Sequence, residues 1–294
     1  MMKLFTAGAL GSVAAVALAT MAAAQDTTSI GVEGLQTEPM ELVIDDQKMM
    51  TRVKAPAGSP LTELISGWEF RNPGTRKMEL DDFDNPAFLW VDQGEALWST
   101  VDGTEGKSCA TCHDDASVSM KGVRAAFPKW SEARGKPKAL EHQVNECRTE
   151  RMGAEAWKWE SDQMLGTTAY VGLQSRGMPV QVQTDGPMQD WWQRGKDLYY
   201  MRVGQLDMSC ANCHEDNYGK MIRADRLSQG QINGFPTYRL KWQKVGSVHR
   251  RFKGCMENIR AVAYKRGSDE FTSLELYLAS RGQGLSVETP SVRQ

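Results

Sequence analysis

Apolar positions form one long run in this chain, and it comes first. Met1 to Ala24 places Lys3 ahead of an apolar or small stretch, Leu4 to Ala19, and ends in Ala22-Ala23-Ala24 before Gln25. That is the order of a secretory leader and its cleavage site. The run is Ala-rich and weakly hydrophobic, barely as long as the ~20 strongly apolar residues that a membrane span needs, and no later stretch is long enough. Further along, apolar and aromatic residues recur at helical spacing in two related segments. These are Tyr170-Val171-Gly172-Leu173-Gln174-Ser175-Arg176-Gly177 and Tyr277-Leu278-Ala279-Ser280-Arg281-Gly282. Both predict helices, with Gly177 and Gly282 as candidate C-caps.

That likeness is one landmark of an internal duplication. Gly94-Glu95-Ala96-Leu97-Trp98 matches Gly195-Lys196-Asp197-Leu198-Tyr199 at an offset of 101 positions, and the motifs Cys109-Ala110-Thr111-Cys112-His113 and Cys210-Ala211-Asn212-Cys213-His214 keep that offset. Phe127-Pro128 and Phe235-Pro236, then Cys147 and Cys255, match at 108. The drift marks a short insertion. Each copy reads as a helix, a CxxCH motif, a loop, a Phe-Pro turn, a lone cysteine and a last helix. The order resembles a class I cytochrome c domain used twice, a mainly α fold of two tandem domains with an N-terminal extension. The expected divisions are a leader at 1–24, an arm at 25–44, a first domain at 45–178 and a second at 179–294. Pro and Gly around Met178-Pro179 and Asp185-Gly186-Pro187 suit the linker.

Composition limits the chemistry. The 294 residues carry six cysteines, four histidines and a formal charge of −2, so nothing global points to nucleic acid. CxxCH is the attachment motif of c-type haem: two thiols add to the vinyl groups and the histidine supplies an axial nitrogen. A zinc site would want four good ligands, and this motif offers three at cramped spacing. Two covalent haems are therefore expected, one on Cys109 and Cys112 with His113 on iron, the other on Cys210 and Cys213 with His214. Haem is attached outside the cytoplasm, which agrees with an exported, periplasmic protein.

The sixth ligand is less determined. No methionine keeps the repeat offset where a distal ligand should fall, whereas Cys147 and Cys255 do. Thiolate is a strong axial donor, so these two cysteines are the favoured ligands. Two alternatives stand beside them: a Cys147–Cys255 disulfide, and ligation by His142 and His249, which precede the cysteines by five and six residues. Thiolate ligation stabilises ferric iron and lowers the potential, which suits a catalyst better than a simple dihaem electron carrier.

The copies differ in charge. From Arg239 to Arg266 nine basic residues face only Glu257, while the matched window Ser131 to Lys158 holds six basic and five acidic residues. Arg251 stands four residues before Cys255, and Gln143 holds that place before Cys147. Positive neighbours keep a thiol in its nucleophilic form, and guanidinium binds oxyanions through paired hydrogen bonds. Arg251 is thus the candidate substrate-binding residue, with Arg250 and Lys253 behind it; a haem propionate is the other partner Arg251 would suit.

Together the leader, the two CxxCH copies, Cys147 within Asn145–Met152 and the Arg251-x-x-x-Cys255 site resemble the SoxA family, dihaem subunits of the SoxAX cytochromes of sulfur-oxidising bacteria. The resemblance covers essentially the whole chain after the leader. It implies a SoxX-type monohaem partner, a SoxYZ-type sulfur carrier and thiosulfate as substrate, joined oxidatively to a carrier cysteine: an L-cysteine S-thiosulfotransferase. It also implies that Cys255 is the catalytic ligand of the second haem, often a persulfide, and that Arg251 is the active-site arginine. The competing expectation is a dihaem thiosulfate dehydrogenase that releases tetrathionate.

Overall fold

The structure, a computed structural model, describes residues 40–294. The expected leader and most of the arm lie outside the described residues. Among those described, no helix is long and apolar enough to cross a membrane.

Ten helices set the architecture. α1 is Pro73–Lys77. The first copy follows with α2 (Phe88–Ser99), α3 (Cys109–His113), α4 (Ala116–Ser119), α5 (Leu140–Arg151) and α6 (Asp162–Leu173). The second has α7 (Gln189–Tyr200), α8 (Cys210–His214), α9 (Val248–Asn258) and α10 (Asp269–Arg281). In each copy the first and last long helices cross, α2 over α6 and α7 over α10. The crossings explain two glycines of the repeat. A Cβ on Gly94 would sit 2.1 Å from the Gly166 carbonyl oxygen, and one on Gly195 would sit 2.0 Å from that of Ser273. Only a residue without a side chain lets the backbones approach so closely.

Each crossing closes a small core. Trp98, Phe127, Leu140 and Val171 form the first, with Cys109 and Ala110 packed against it. Tyr199, Phe252, Phe271, Leu274 and Leu276 belong to the second, with Cys210 alongside. The CxxCH helices therefore rest on their cores at equivalent places. Both are capped alike. Ser108 accepts a hydrogen bond from the Thr111 N–H at 3.2 Å while Thr111 Oγ1 accepts from the Ser108 N–H at 2.9 Å. Ser209 and Asn212 repeat the exchange at 3.4 and 2.9 Å. A reciprocal cap of this kind fixes where a one-turn helix begins.

After each Phe-Pro pair, both cis, the chain makes a short hairpin, Lys129–Ser131 with Lys136–Lys138 and Thr237–Arg239 with Lys244–Gly246. The second gains a third strand, Ser291–Arg293, parallel to Thr237–Arg239. Residues 52–80 lean on this second half. The Ile65 N–H donates to Gln229 at 2.8 Å, and buried Glu79 accepts from the Val292 N–H at 2.8 Å and from Arg293 at 2.6 Å.

Two details depart from the sequence-based expectation. Gly282 does cap α10, but at φ −97, so no left-handed cap forms there. α6 ends earlier, at Leu173, with Gln174 as its cap. Gly177 lies in the following turn at φ +79, where a Cβ would meet the Gln47 side chain at 2.0 Å. The Pro-rich stretch after it is tied down rather than loose. The Val180 N–H donates to Leu285, and the Val287 N–H donates to Met178.

Candidate functional site

The repeat places Cys147 and Cys255 on helices, α5 and α9, not in a loop. α9 is started by Ser247, whose hydroxyl accepts from the Arg250 N–H. From that start, the spacing of four puts Arg251 and Cys255 on one face. Across from this face stands α8. Cys255 is hydrogen-bonded to the His214 side chain, and Cys210 and Cys213 lie close enough to feel its charge. The imidazole is held from its far side. Nδ1 of His214 is 2.7 Å from the Ser228 carbonyl oxygen. Gly230 packs against the ring, where a Cβ would come within 2.9 Å of Cγ. With Nδ1 held by the carbonyl, Nε2 is the ring nitrogen left to face Cys255.

The thiols respond to these surroundings in opposite ways. Burial pushes Cys210 up to about 12, with the nearby Cys255 and Cys213 adding to the effect. Burial acts on Cys255 too, but the Arg251 guanidinium, the His214 hydrogen bond and Arg239 outweigh it and bring the thiol down to about 7. Beyond Arg251 opens a cavity of about 240 Å³ lined by Arg239, Lys241, Trp242, Arg250, Arg251 and Lys253, with Glu257 as its acidic residue. Six of the nine basic residues of the window read in the sequence, Arg266 included, thus line one space. Within it Arg250 turns to the Trp242 ring at 4.4 Å, and Lys253 pairs with Glu257.

The first copy keeps the scaffold and lacks the charge. Cys147 lies beside Cys109, and its sulfur accepts a hydrogen bond from Gln143 at 3.2 Å. His113 lies at the surface, its ring 5.9 Å from that of Trp98. No disulfide joins Cys147 to Cys255. His142 and His249 sit at the junction of the two copies, both against Trp159: His142 meets the ring edge-on at 4.8 Å and His249 stacks on it at 4.9 Å. His249 is fully buried beside Glu275. Burial and Arg134 bring His142 down to about 4. Both rings are thus engaged in packing at the junction.

Known proteins carry the same features. The sequence model of the SoxA/TsdA cytochrome c domain family matches residues 93–180 and 194–287. The L-cysteine S-thiosulfotransferase subunit SoxA of Pseudaminobacter salicylatoxidans is 53% identical over 86% of this chain and 89% of its own. That of Paracoccus pantotrophus is 49% identical over 96% and 97%. The chain belongs to the SoxA family. The crystal structure of SoxXA from P. pantotrophus superposes with a TM-score of 0.84 at 51% identity, covering 87% of this chain and 99% of that one. Tandem cytochrome c domains and covalently bound haem come with SoxA membership.

The second site fits such a haem: two thiols on one turn of helix, an imidazole with its free nitrogen fixed, and a sulfur facing that nitrogen. Sequence reading of this SoxA chain missed five contributors. Ser108 and Ser209 were visible as the residue before each motif, at the repeat offset. Ser228 and Gly230, which orient His214, carry no local signal. Arg239 counted only as one charge among nine.

Proposed function

We propose that the chain is the SoxA-type subunit of a thiosulfate-conjugating cytochrome, with its chemistry at Cys255. The observation that carries this reading is geometric: Cys255 faces His214, and Arg251, one turn earlier on the same helix, opens onto a cavity also lined by Arg239, Arg250 and Lys253, whereas Gln143 holds that place in the first copy. Two haems would be held, one by Cys109, Cys112, His113 and Cys147, the other by Cys210, Cys213, His214 and Cys255. The domains would run over 45–178 and 179–294, after a leader at 1–24 that sends the chain to the periplasm. A SoxX-type monohaem subunit and a SoxYZ-type sulfur carrier would be its partners. The SoxA relatives and the P. pantotrophus SoxXA structure support the reading as a SoxA-type subunit with a SoxX-type partner.

The net reaction joins thiosulfate to a carrier thiol: R–SH plus S2O3²⁻ gives R–S–S–SO3⁻, a proton and two electrons. Bound haem would supply the acceptor for those electrons. The rest falls to the protein. Arg251 holds the sulfonate oxygens by charge-assisted hydrogen bonds and points the outer sulfur at Cys255. An S–S bond forms between that sulfur and Cys255, releasing the electron pair. A carrier thiolate then attacks the same outer sulfur. The bond to Cys255 breaks, its thiolate leaves, and the carrier's proton goes to solvent. The charges that keep Cys255 anionic also make it a good leaving group.

Replacing Cys255 by Met tests this. With both haems retained, thiosulfate-dependent reduction of an acceptor cytochrome in the presence of carrier should fall by at least about 10³-fold. Wild-type activity in that variant refutes the reading. Free tetrathionate formed by the native protein without carrier would favour the dehydrogenase instead.

A further inference from the structure

The insertion that shifts the repeat offset from 101 to 108 lies between the second CxxCH and Phe235. Where the first copy has α4, the second has a small hairpin, Met221–Ile222 with Asp225–Arg226. Its carboxylate, Asp225, pairs with two nearly buried arginines from distant parts of the chain. One is Arg71, ahead of the first copy; the other is Arg239, at 3.2 Å, in the strand beside the basic cavity. Arg239 is further pinned by a 2.6 Å hydrogen bond from Nε to the Gln294 carbonyl and by the Trp242 ring, 5.0 Å below its guanidinium. So fixed, it lines the same cavity as Arg251 and acts electrostatically on Cys255. The equivalent strand of the first copy, in the same register against its partner, has Ser131 in this place. The scaffold does not need an arginine there. Burying one beside other cations is costly unless charge or ligand offsets it, and Asp225 is one carboxylate for two guanidinium groups.

We propose that Arg239 is a second anion-binding residue of the Cys255 site, gripping the sulfonate end of thiosulfate together with Arg251, and that Asp225 is the positioning residue that holds it there. The inference rests on the thiosulfate reading of the site. It adds that two guanidinium groups, not one, match the double charge of the substrate, and that the hairpin exists to aim the second.

Asp225 gives the sharpest test, because two roles predict opposite signs. A carboxylate acting only through its charge repels the substrate, so Asp225→Asn would tighten thiosulfate binding. A carboxylate that positions Arg239 makes the same variant bind more weakly. The measurements use the holoprotein: equilibrium binding of thiosulfate without carrier, then KM and kcat with carrier, with haem spectra as a check on the fold. Arg239→Gln is expected to raise Kd and KM by about tenfold or more with kcat within about threefold, Arg239→Lys to recover part of the loss, and Asp225→Asn to raise both constants severalfold. Unchanged or tighter binding in Asp225→Asn overturns the proposal, as does a loss confined to kcat in Arg239→Gln. Should Arg239→Gln fail to fold, the Asp225→Asn sign still decides. If the native protein binds thiosulfate but conjugates none, the functional reading has failed while the anion site stands. If it conjugates thiosulfate and the variants behave as wild type, only this proposal has failed.

Discussion

The two halves share a backbone plan and differ in what surrounds one sulfur. Each has a glycine at its helix crossing, a serine-capped CxxCH helix and a cysteine on the helix after a Phe-Pro hairpin. Around Cys147 stand Gln143, within hydrogen-bond distance, and Ser131 in the hairpin strand. Around Cys255 stand Arg251, Arg239 and an inserted hairpin, with open space beyond. The two halves thus share one plan, and the second differs by added positive charge and by a small inserted hairpin.

The largest expected effect follows from that contrast. Arg251→Gln copies the first site's residue into the second and should cost on the order of 10²–10³-fold in turnover with thiosulfate and carrier, with little change in the haem spectrum. An equal loss of haem would assign Arg251 to a propionate instead. The reverse exchange sharpens the comparison: Gln143→Arg in a Cys255→Met background should restore no conjugation, because Ser131 and the missing hairpin leave Cys147 without the rest of the pocket. Conjugation in that double variant would show that a single arginine makes the difference.

The shared scaffold can be broken in either half. Gly94→Ala and Gly195→Ala would each drive a methyl group into a facing carbonyl, at 2.1 and 2.0 Å. Forced separation of packed helices costs about 3 kcal/mol, so both variants should melt well below the wild type when followed by haem absorbance. Equal losses support equivalent crossings. A loss in one alone would mean that one half carries the stability of both.

How much of this the sequence disclosed depended on distance along the chain. The CxxCH motifs, the duplicated cysteines and the Arg251 spacing are local, and a periodic offset exposed them. The hairpin insertion showed only as a drift in that offset. Its purpose was hidden, since Asp225 acts on Arg71 from across the sequence and on Arg239 from the next strand. His142 and His249 were plausible ligands by position, and only their contacts with Trp159, one edge-on and one stacked, show their place at the junction. Likewise no pattern in residues 52–80 announces that they pack on the second half. Side chains that meet through tertiary folding leave no periodic trace.

The smallest expected effect lies where the halves meet. Glu141 of α5 is buried against Glu275 of α10, His249 of α9 and Arg124, around a small cavity also lined by Thr168. Burial, with Glu275 adding, pushes the Glu141 carboxyl up to about 7, against the pull of His249 and Arg124. A carboxyl held above its unfolded value of 4.5 binds its proton more tightly in the folded state. Its contribution is complete below about pH 4.5 and is lost as the pH rises to about 7. Glu141→Gln is neutral throughout. It should match the wild type near pH 5 and be more stable by roughly 2 kcal/mol at pH 8, so its melting temperature should vary less between those two pH values. Identical pH dependence in variant and wild type would place the proton on Glu275 or elsewhere. The junction would then carry a fixed charge at Glu141, facing Arg124.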